Sequence, residues 1–200
     1  MKPLIAVFAK APVPGKVKTR LSPPLTLAQA ALLHQRLVAD VWDRLAALRE
    51  MADCELHTDT PTEAWPGIEP RRLQCEGDLG ARMRHALEDA LAQGRPRAAI
   101  IGGDIPQIPI DAVRQLLTAD ADIALGPTRD GGYYAIACRR THPGMFHGVR
   151  WSTPHALADT ITACARVGLG VSIGSPWHDV DTAEDLDLLP AHLRPNTEEE

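Results

Sequence analysis

Short runs of apolar residues alternate along the chain with longer stretches of three-to-four spacing. Pro3–Ala9 is an unbroken apolar run that ends at Lys10 and a Pro/Gly-rich loop reaching Pro24, the pattern of a strand buried on both faces. A helix is then predicted from Thr26, with Gln29 placed to close a capping box and a stripe through Ala30, Leu33, Leu37, Val41, Leu45 and Leu48. Weaker strands are expected at Cys54–Thr58 and Arg71–Gln74, and a second helix over Leu79–Gln93 with Gly94 ending it. Ala98–Gly102 reads as a strand, Ile110–Thr118 as a helix, and Ile123–Leu125 and Tyr133–Cys138 as strands. Thr153 as cap and Pro154 at the first position predict a helix reaching Gly168. A short strand at Val171–Gly174 and a helix over Ala183–Leu189, capped by Thr182, complete the pattern. One domain over 1–189 is expected, with 190–200 a disordered tail ending in three glutamates.

Alternating strands and helices imply an α/β fold, a mainly parallel sheet with helices on both faces. Ligands of such sheets bind beyond the carboxyl ends of the strands, which directs the search for chemistry to the following loops. Composition changes little: 44% hydrophobic and 24% charged residues are ordinary for a globular chain. A net charge of −5 leaves no basic face for a nucleic acid. The four scattered cysteines form no CxxC pair, and no apolar run approaches bilayer length, so the chain reads as cytoplasmic with no membrane partner.

The loop after the first strand, Lys10-Ala-Pro-Val-Pro-Gly-Lys-Val-Lys-Thr-Arg20, stands out because all four lysines lie in residues 2–18, whereas the other seventeen basic residues are arginine. Lysine is a compact charge suited to phosphate oxygens, and Arg20 adds a bidentate fork. A solvated basic loop is the competing reading, and position after the first strand favours phosphate. The segment lacks the glycine and Ser/Thr of a P-loop and the GxGxxG of a dinucleotide site. In Gly102-Gly103-Asp104-Ile105-Pro106, a lone carboxylate past a buried strand suits magnesium, against a simple turn aspartate. Asp179 and Asp181 point the same way in an extended segment, and either one can complete a metal site with Asp104; Asp185 reads as a helix cap. Gly126–Tyr134 offers a substrate-facing turn or a plain Gly-Gly hairpin, and Trp151–Thr153 is similarly divided. Gly77–Met83 joins glycines, Asp78 and a helix start that can cradle a base or an anion. No Ser-His-Asp or Cys-His nucleophile set is apparent.

In this order FAKAPVPGKVKTRLSP, GDLGARM, GGDIP, LGPTRDGGYY, WST and DVDTAEDL resemble the bacterial glycosyltransferase-like proteins of the radical-SAM, selenodomain and arsenosugar type. That group is similar to the nucleotide-diphospho-sugar transferase superfamily and related to 2-phospho-L-lactate guanylyltransferase. The resemblance spans residues 3 to about 189 and implies a three-layer GT-A fold and a transferase with Mg2+ or Mn2+ as cofactor. Its partners would be a nucleotide or nucleotide-sugar donor and a small-molecule acceptor. Sugar transfer is the leading expectation, nucleotidyl transfer from a nucleoside triphosphate the alternative, and a non-catalytic nucleotide-binding module a lesser one. By position, the resemblance gives Lys16 and Arg20 to the donor phosphates, supported by Lys10 and Lys18, and Asp104 with Asp179 or Asp181 to the metal. It implies that Gly77, Asp78, Leu79 and Gly80 border the base and sugar, and that Asp130, Gly131, Gly132, Tyr133 and Trp151 line the acceptor side, Asp130 among the catalytic groups. Oligomeric state has no signature in the sequence.

Overall fold

A computed structural model describes residues 1–195. Its seven strands are β1 (Leu4–Ala9), β2 (Asp53–Thr58), β3 (Arg71–Leu73), β4 (Ala98–Gly102), β5 (Ile123–Pro127), β6 (Tyr133–Cys138) and β7 (Val171–Ile173). Its α-helices are α1 (Leu27–Leu45), α2 (Leu79–Ala92), α3 (Ile110–Thr118) and α4 (Ala156–Arg166). The strands form one sheet in the order β3-β2-β1-β4-β6-β5-β7, all running one way except β6, which is antiparallel to both neighbours. The fold is therefore a mixed, mostly parallel α/β sheet with helices.

The unbroken apolar run of β1 is explained by burial on both sides. Ile5 and Val7 enter one core with Val38 and Val41 of α1 and Val113 and Leu116 of α3. Leu4 and Ala6 enter the opposite core with Met83 and Leu87 of α2 and Cys164 of α4. Helix α1 starts as expected: Gln29 N–H donates to Thr26 Oγ1 at 3.2 Å and Thr26 N–H to Gln29 Oε1 at 2.9 Å. A third, smaller core gathers Leu21, Leu25, Leu33, Leu37, Val180 and Leu189 beneath the loop that follows β1.

Two expectations need correction. Helix α4 begins at Ala156 instead of Pro154. Thr153 Oγ1 donates to the Arg150 carbonyl at 2.8 Å, and Ser152 takes a left-handed φ of 58°, so residues 151–155 form a turn. That turn is committed elsewhere, to placing Trp151 against α2. The second correction concerns the tail, because Leu193 is buried in the third core beside Leu21 and Leu25. Residues 190–195 thus pack on the body of the protein, and 196–200 lie outside the described residues. The last helical segment, Ala183–Leu188, is a 3-10 helix with a Thr182–Asp185 capping box.

Candidate active site at the carboxyl edge of the sheet

Strands β1 and β4 are parallel neighbours with Phe8 opposite Gly102, so Lys10 and Asp104 leave the sheet side by side. Gly103 turns the chain there. Its N–H donates to the Phe8 carbonyl at 2.9 Å, and a Cβ would stand 2.8 Å from Val38 Cγ2. That glycine is therefore demanded by the packing of the Asp104 loop on α1. The late acidic segment is drawn in by Val180 N–H, which donates to the Asp104 carbonyl at 3.3 Å.

Lys18 occupies the centre of this cluster. It adopts φ 48°, a left-handed conformation that costs a residue with a Cβ about 1 kcal/mol, and its side chain is only 5% exposed. Its Nζ donates to Asp104 Oδ2 at 2.7 Å and lies 3.7 Å from Asp181 Oδ1. Arg20 binds the other oxygen of Asp181 at 2.5 Å. Burial alone would pull the Lys18 ammonium down, but Asp104, then Asp181 and Asp179, outweigh it and hold its pKa above the ordinary lysine value. Burial likewise pushes the Asp104 carboxyl upward, and the Lys18 charge and hydrogen bond reverse the sign, leaving it below the ordinary value. Asp179 makes no ion pair among the described residues, and the pull of Lys18 on it is outweighed. Burial, followed by repulsion from Asp104 and Asp130, pushes it up to about 6.

Lys10 and Lys16 are exposed and make no ion pair among the described residues. The loop after β1 thus divides its cations between an enclosed Lys18, an exposed Arg20 paired with Asp181, and two lysines that face solvent unpaired. Of the cations that the resemblance gives to the donor phosphates, Lys18 and Arg20 are paired with Asp104 and Asp181, and Lys10 and Lys16 are exposed at the same loop.

On the neighbouring side, Asp78 caps α2, accepting from Ala81 N–H at 2.8 Å, and Gly77 has φ 117°. Gly80 is in contact with the Trp151 indole, where a Cβ would stand 2.9 Å from Cζ2. Trp151 also meets Tyr133 and Phe146 edge to face, at centroid distances of 6.4 and 5.5 Å. Gly131, at φ 88°, leaves room for the Pro154 carbonyl, and Asp130 Oδ1 accepts from Gly132 N–H at 3.1 Å and from Thr128 Oγ1. The turn 151–155 therefore ties the GDLG and DGG segments into one packed wall. Asp130 belongs to the acidic cluster through its repulsion of Asp179, while Tyr133 and Trp151 spend much of their surface on each other.

Sequence reasoning missed three side chains that grip the start of the loop that follows β1. His34 Nε2 stands 3.0 Å from the Lys10 carbonyl, Asp59 Oδ1 accepts from Ala11 N–H at 2.7 Å, and Gln74 Nε2 reaches the Ala9 carbonyl at 3.4 Å. The signal was present: His34 interrupts the apolar stripe of α1, and Asp59 follows β2 at the same edge as Lys10 and Asp104.

Among the described residues, no group of three or more His, Cys, Asp or Glu side chains is arranged to hold a metal ion. The donor set itself is hard oxygen, and two mutually repelling carboxylates, Asp104 and Asp179, fit a divalent cation that takes its remaining ligands from water and phosphate. No helix of the described residues is long and apolar enough to cross a membrane.

Residues 27–153 match the family described as an uncharacterised protein conserved in bacteria (DUF2064). The chain belongs to this family. A 2-phospho-L-lactate guanylyltransferase of Methanocella arvoryzae is 31% identical over 189 residues, covering 92% of this chain and 80% of that protein. The enzyme of the same name from Halobacterium salinarum is 30% identical over 118 residues, and the match spans about half of its length, 54%, and 57% of this chain. Among solved structures, a Desulfovibrio desulfuricans protein provisionally assigned as a nucleotide-diphospho-sugar transferase superposes with a TM-score of 0.85 at 34% identity, covering 98% of this chain and 93% of that one. A CMP:2-keto-3-deoxy-manno-octonic acid synthetase, at 14% identity and a TM-score of 0.59 over 94% of this chain and 96% of that one, shares the fold alone. The relatives and the Desulfovibrio desulfuricans neighbour carry transferase names, in keeping with the group that the motifs of this chain resemble.

Proposed function

We propose that the protein is a metal-dependent nucleotidyltransferase, moving a nucleoside monophosphate from a nucleoside triphosphate onto a phosphate-bearing small molecule. The observation that carries this reading is the cation distribution of the loop after β1. Lys18 is enclosed against Asp104 and the exposed Arg20 is paired with Asp181, while Lys10 and Lys16 make no ion pair among the described residues and stand at the same loop for additional phosphate charge. A triphosphate supplies that charge. In the reaction an acceptor phosphate oxygen forms a bond to the α-phosphorus and the α–β bridging bond breaks, with pyrophosphate leaving. An acceptor phosphate is already an anion, so no proton has to be removed, which accords with the lack of any His- or Ser-centred nucleophile set in the sequence. The lysines bind and orient the departing diphosphate and stabilise the charge gathering on it.

Asp104 and Asp179 are the residues that would hold Mg2+ or Mn2+: both oxygens of Asp181 face cations, Lys18 and Arg20, whereas Asp104 gives only Oδ2 to Lys18 and Asp179 makes no ion pair among the described residues. Such an ion would supply charge neutralisation at the phosphates and would offset the repulsion from Asp104 and Asp130 that adds to burial in raising Asp179. Guanine is the base suggested by the names of the two curated relatives. A second reading, sugar transfer from a nucleotide sugar, is favoured by the name of the Desulfovibrio desulfuricans neighbour. Calorimetric titration of GTP with magnesium tests the proposed site. Asp179→Asn should abolish the gain in affinity that magnesium gives, and Asp181→Asn should retain it. Magnesium-independent binding, or the reverse order of the two variants, would contradict the assignment.

A further inference from the structure

Three consecutive residues at the head of the phosphate loop are each held by a side chain from a different element. The carbonyl of Ala9 faces Gln74, which follows β3 and whose Nε2 also donates to the His57 carbonyl at 2.9 Å. The carbonyl of Lys10 faces His34 of α1, and the N–H of Ala11 donates to Asp59, which follows β2. Among these, His34 is the most costly to place. It is 6% exposed in a helix stripe otherwise made of Ala30, Ala31, Leu33, Leu37, Val38 and Val41. An imidazole in such a stripe is unfavourable unless its polar atoms are used. A carbonyl can only accept, so Nε2 carries the proton and the neutral ring has a bare lone pair on Nδ1. Nδ1 is indeed buried without a partner among the described residues. The ring plane is fixed from the side by Trp65, edge to face at 6.3 Å, whose own Nε1 donates to the Gln35 carbonyl at 2.8 Å. A purely packing role would be filled better by leucine, which leaves no unsatisfied atom.

From this geometry we infer that His34 is a positioning residue for polyphosphate binding, one that fixes residues 9–11 so that the loop's lysines are presented to the donor before it arrives. It does not touch the donor; it acts through the Lys10 carbonyl. The inference rests on the phosphate-binding part of the reading above and is indifferent to whether a nucleotidyl group or a sugar is moved. A loop whose conformation is set in advance loses less entropy on binding, so the clamp contributes to affinity without adding a contact.

The test uses the full chain, with GTP and GDP-mannose as separate probes in magnesium. His34→Leu keeps the apolar packing and removes the donor, and binding of whichever probe the wild type takes should weaken about tenfold, the worth of one neutral hydrogen bond at the upper end. In His34→Gln the side-chain amide N–H can reach the same carbonyl, and affinity should return to within about threefold of wild type. A merely structural histidine would not show that rescue. Asp59→Ala, at a half-buried position, should reproduce the loss should His34→Leu fold poorly. Amide exchange across residues 10–20 should accelerate in His34→Leu and Asp59→Ala while the helices keep wild-type protection. Unchanged binding in both loss variants, or His34→Gln as weak as His34→Leu, overturns the clamp. Binding of GDP-mannose alone, with the same dependence on His34, overturns the nucleotidyl reading and leaves the clamp standing. A wild type that binds neither probe overturns both.

Discussion

The Lys18–Asp104 pair is the most consequential contact in the molecule, because each partner is made tolerable by the other. Lys18 is almost fully enclosed, and an ammonium there is stable only while a carboxylate faces it. Asp104→Asn leaves Lys18 with Asp181 at 3.7 Å as its nearest anion, so the variant should melt at a lower temperature as well as lose turnover by about a hundredfold or more. The double variant Lys18→Met/Asp104→Leu removes both charges and should regain most of the lost stability without regaining activity. Thermal unfolding followed by circular dichroism, with turnover measured on the same samples, separates the two effects. An Asp104→Asn variant that melts with the wild type would show that the pair is not a structural unit. The same contact explains a limit of sequence reading. Position after β1 and β4 marks Lys10–Arg20 and Asp104 as functional, but spacing does not say which lysine turns inward. That choice depends on a left-handed residue at position 18, and lysine carries no local signal for one.

At the scale of elements, segments separated in sequence are explained by one another. Gly80 and Gly131 belong to different motifs, yet both make room for the 151–155 turn, one against the Trp151 indole and the other against the Pro154 carbonyl. Gly131→Ala should therefore cost several times more than Gly148→Ala. Both sites have a positive φ, but a Cβ at 148 meets nothing within 4 Å and bears only the backbone strain, about 1 kcal/mol. Urea unfolding of the two variants makes the comparison, and equal losses would refute the packing role of the turn. Most of the elements were legible because their signals are local. The capping box at Thr26, the apolar stripe of α1, the paired run of β1 and the positive-φ Gly94 after α2 each act within a few residues. The start of α4 was misread because Thr153 and Pro154 look like a cap, while a distant glycine and an indole decide the backbone there. The burial of Leu193 was illegible for a similar reason, since its partners Leu21 and Leu25 lie far away in the chain.

At the scale of the whole molecule, the sheet gathers charge at one edge and keeps two imidazoles buried and neutral. His34 and His57 are both depressed below the ordinary value of 6.5, in each case chiefly by burial. In the pH range below 6.5 the unfolded chain binds protons at these rings that the folded chain does not, so stability rises with pH and falls on acidification. The contribution is complete above 6.5 and is lost as pH drops toward the lowered folded values. His57→Gln removes one of these groups, so the stability gap between wild type and variant should shift against the wild type between pH 7 and pH 5.5. A gap that stays constant over that range would mean the ring is not held neutral. The proposed triphosphate donor rests on the charge of this edge, where Lys10 and Lys16 stand exposed beside the enclosed Lys18–Asp104 pair. The decisive measurement follows the phosphorus of the leaving group. With GTP, magnesium and a phosphorylated hydroxy acid, 31P NMR should show pyrophosphate appearing with a new diphosphate diester, and both should vanish in Asp104→Asn. Nucleoside diphosphate released from a nucleotide sugar, with no pyrophosphate formed from GTP, would contradict the account.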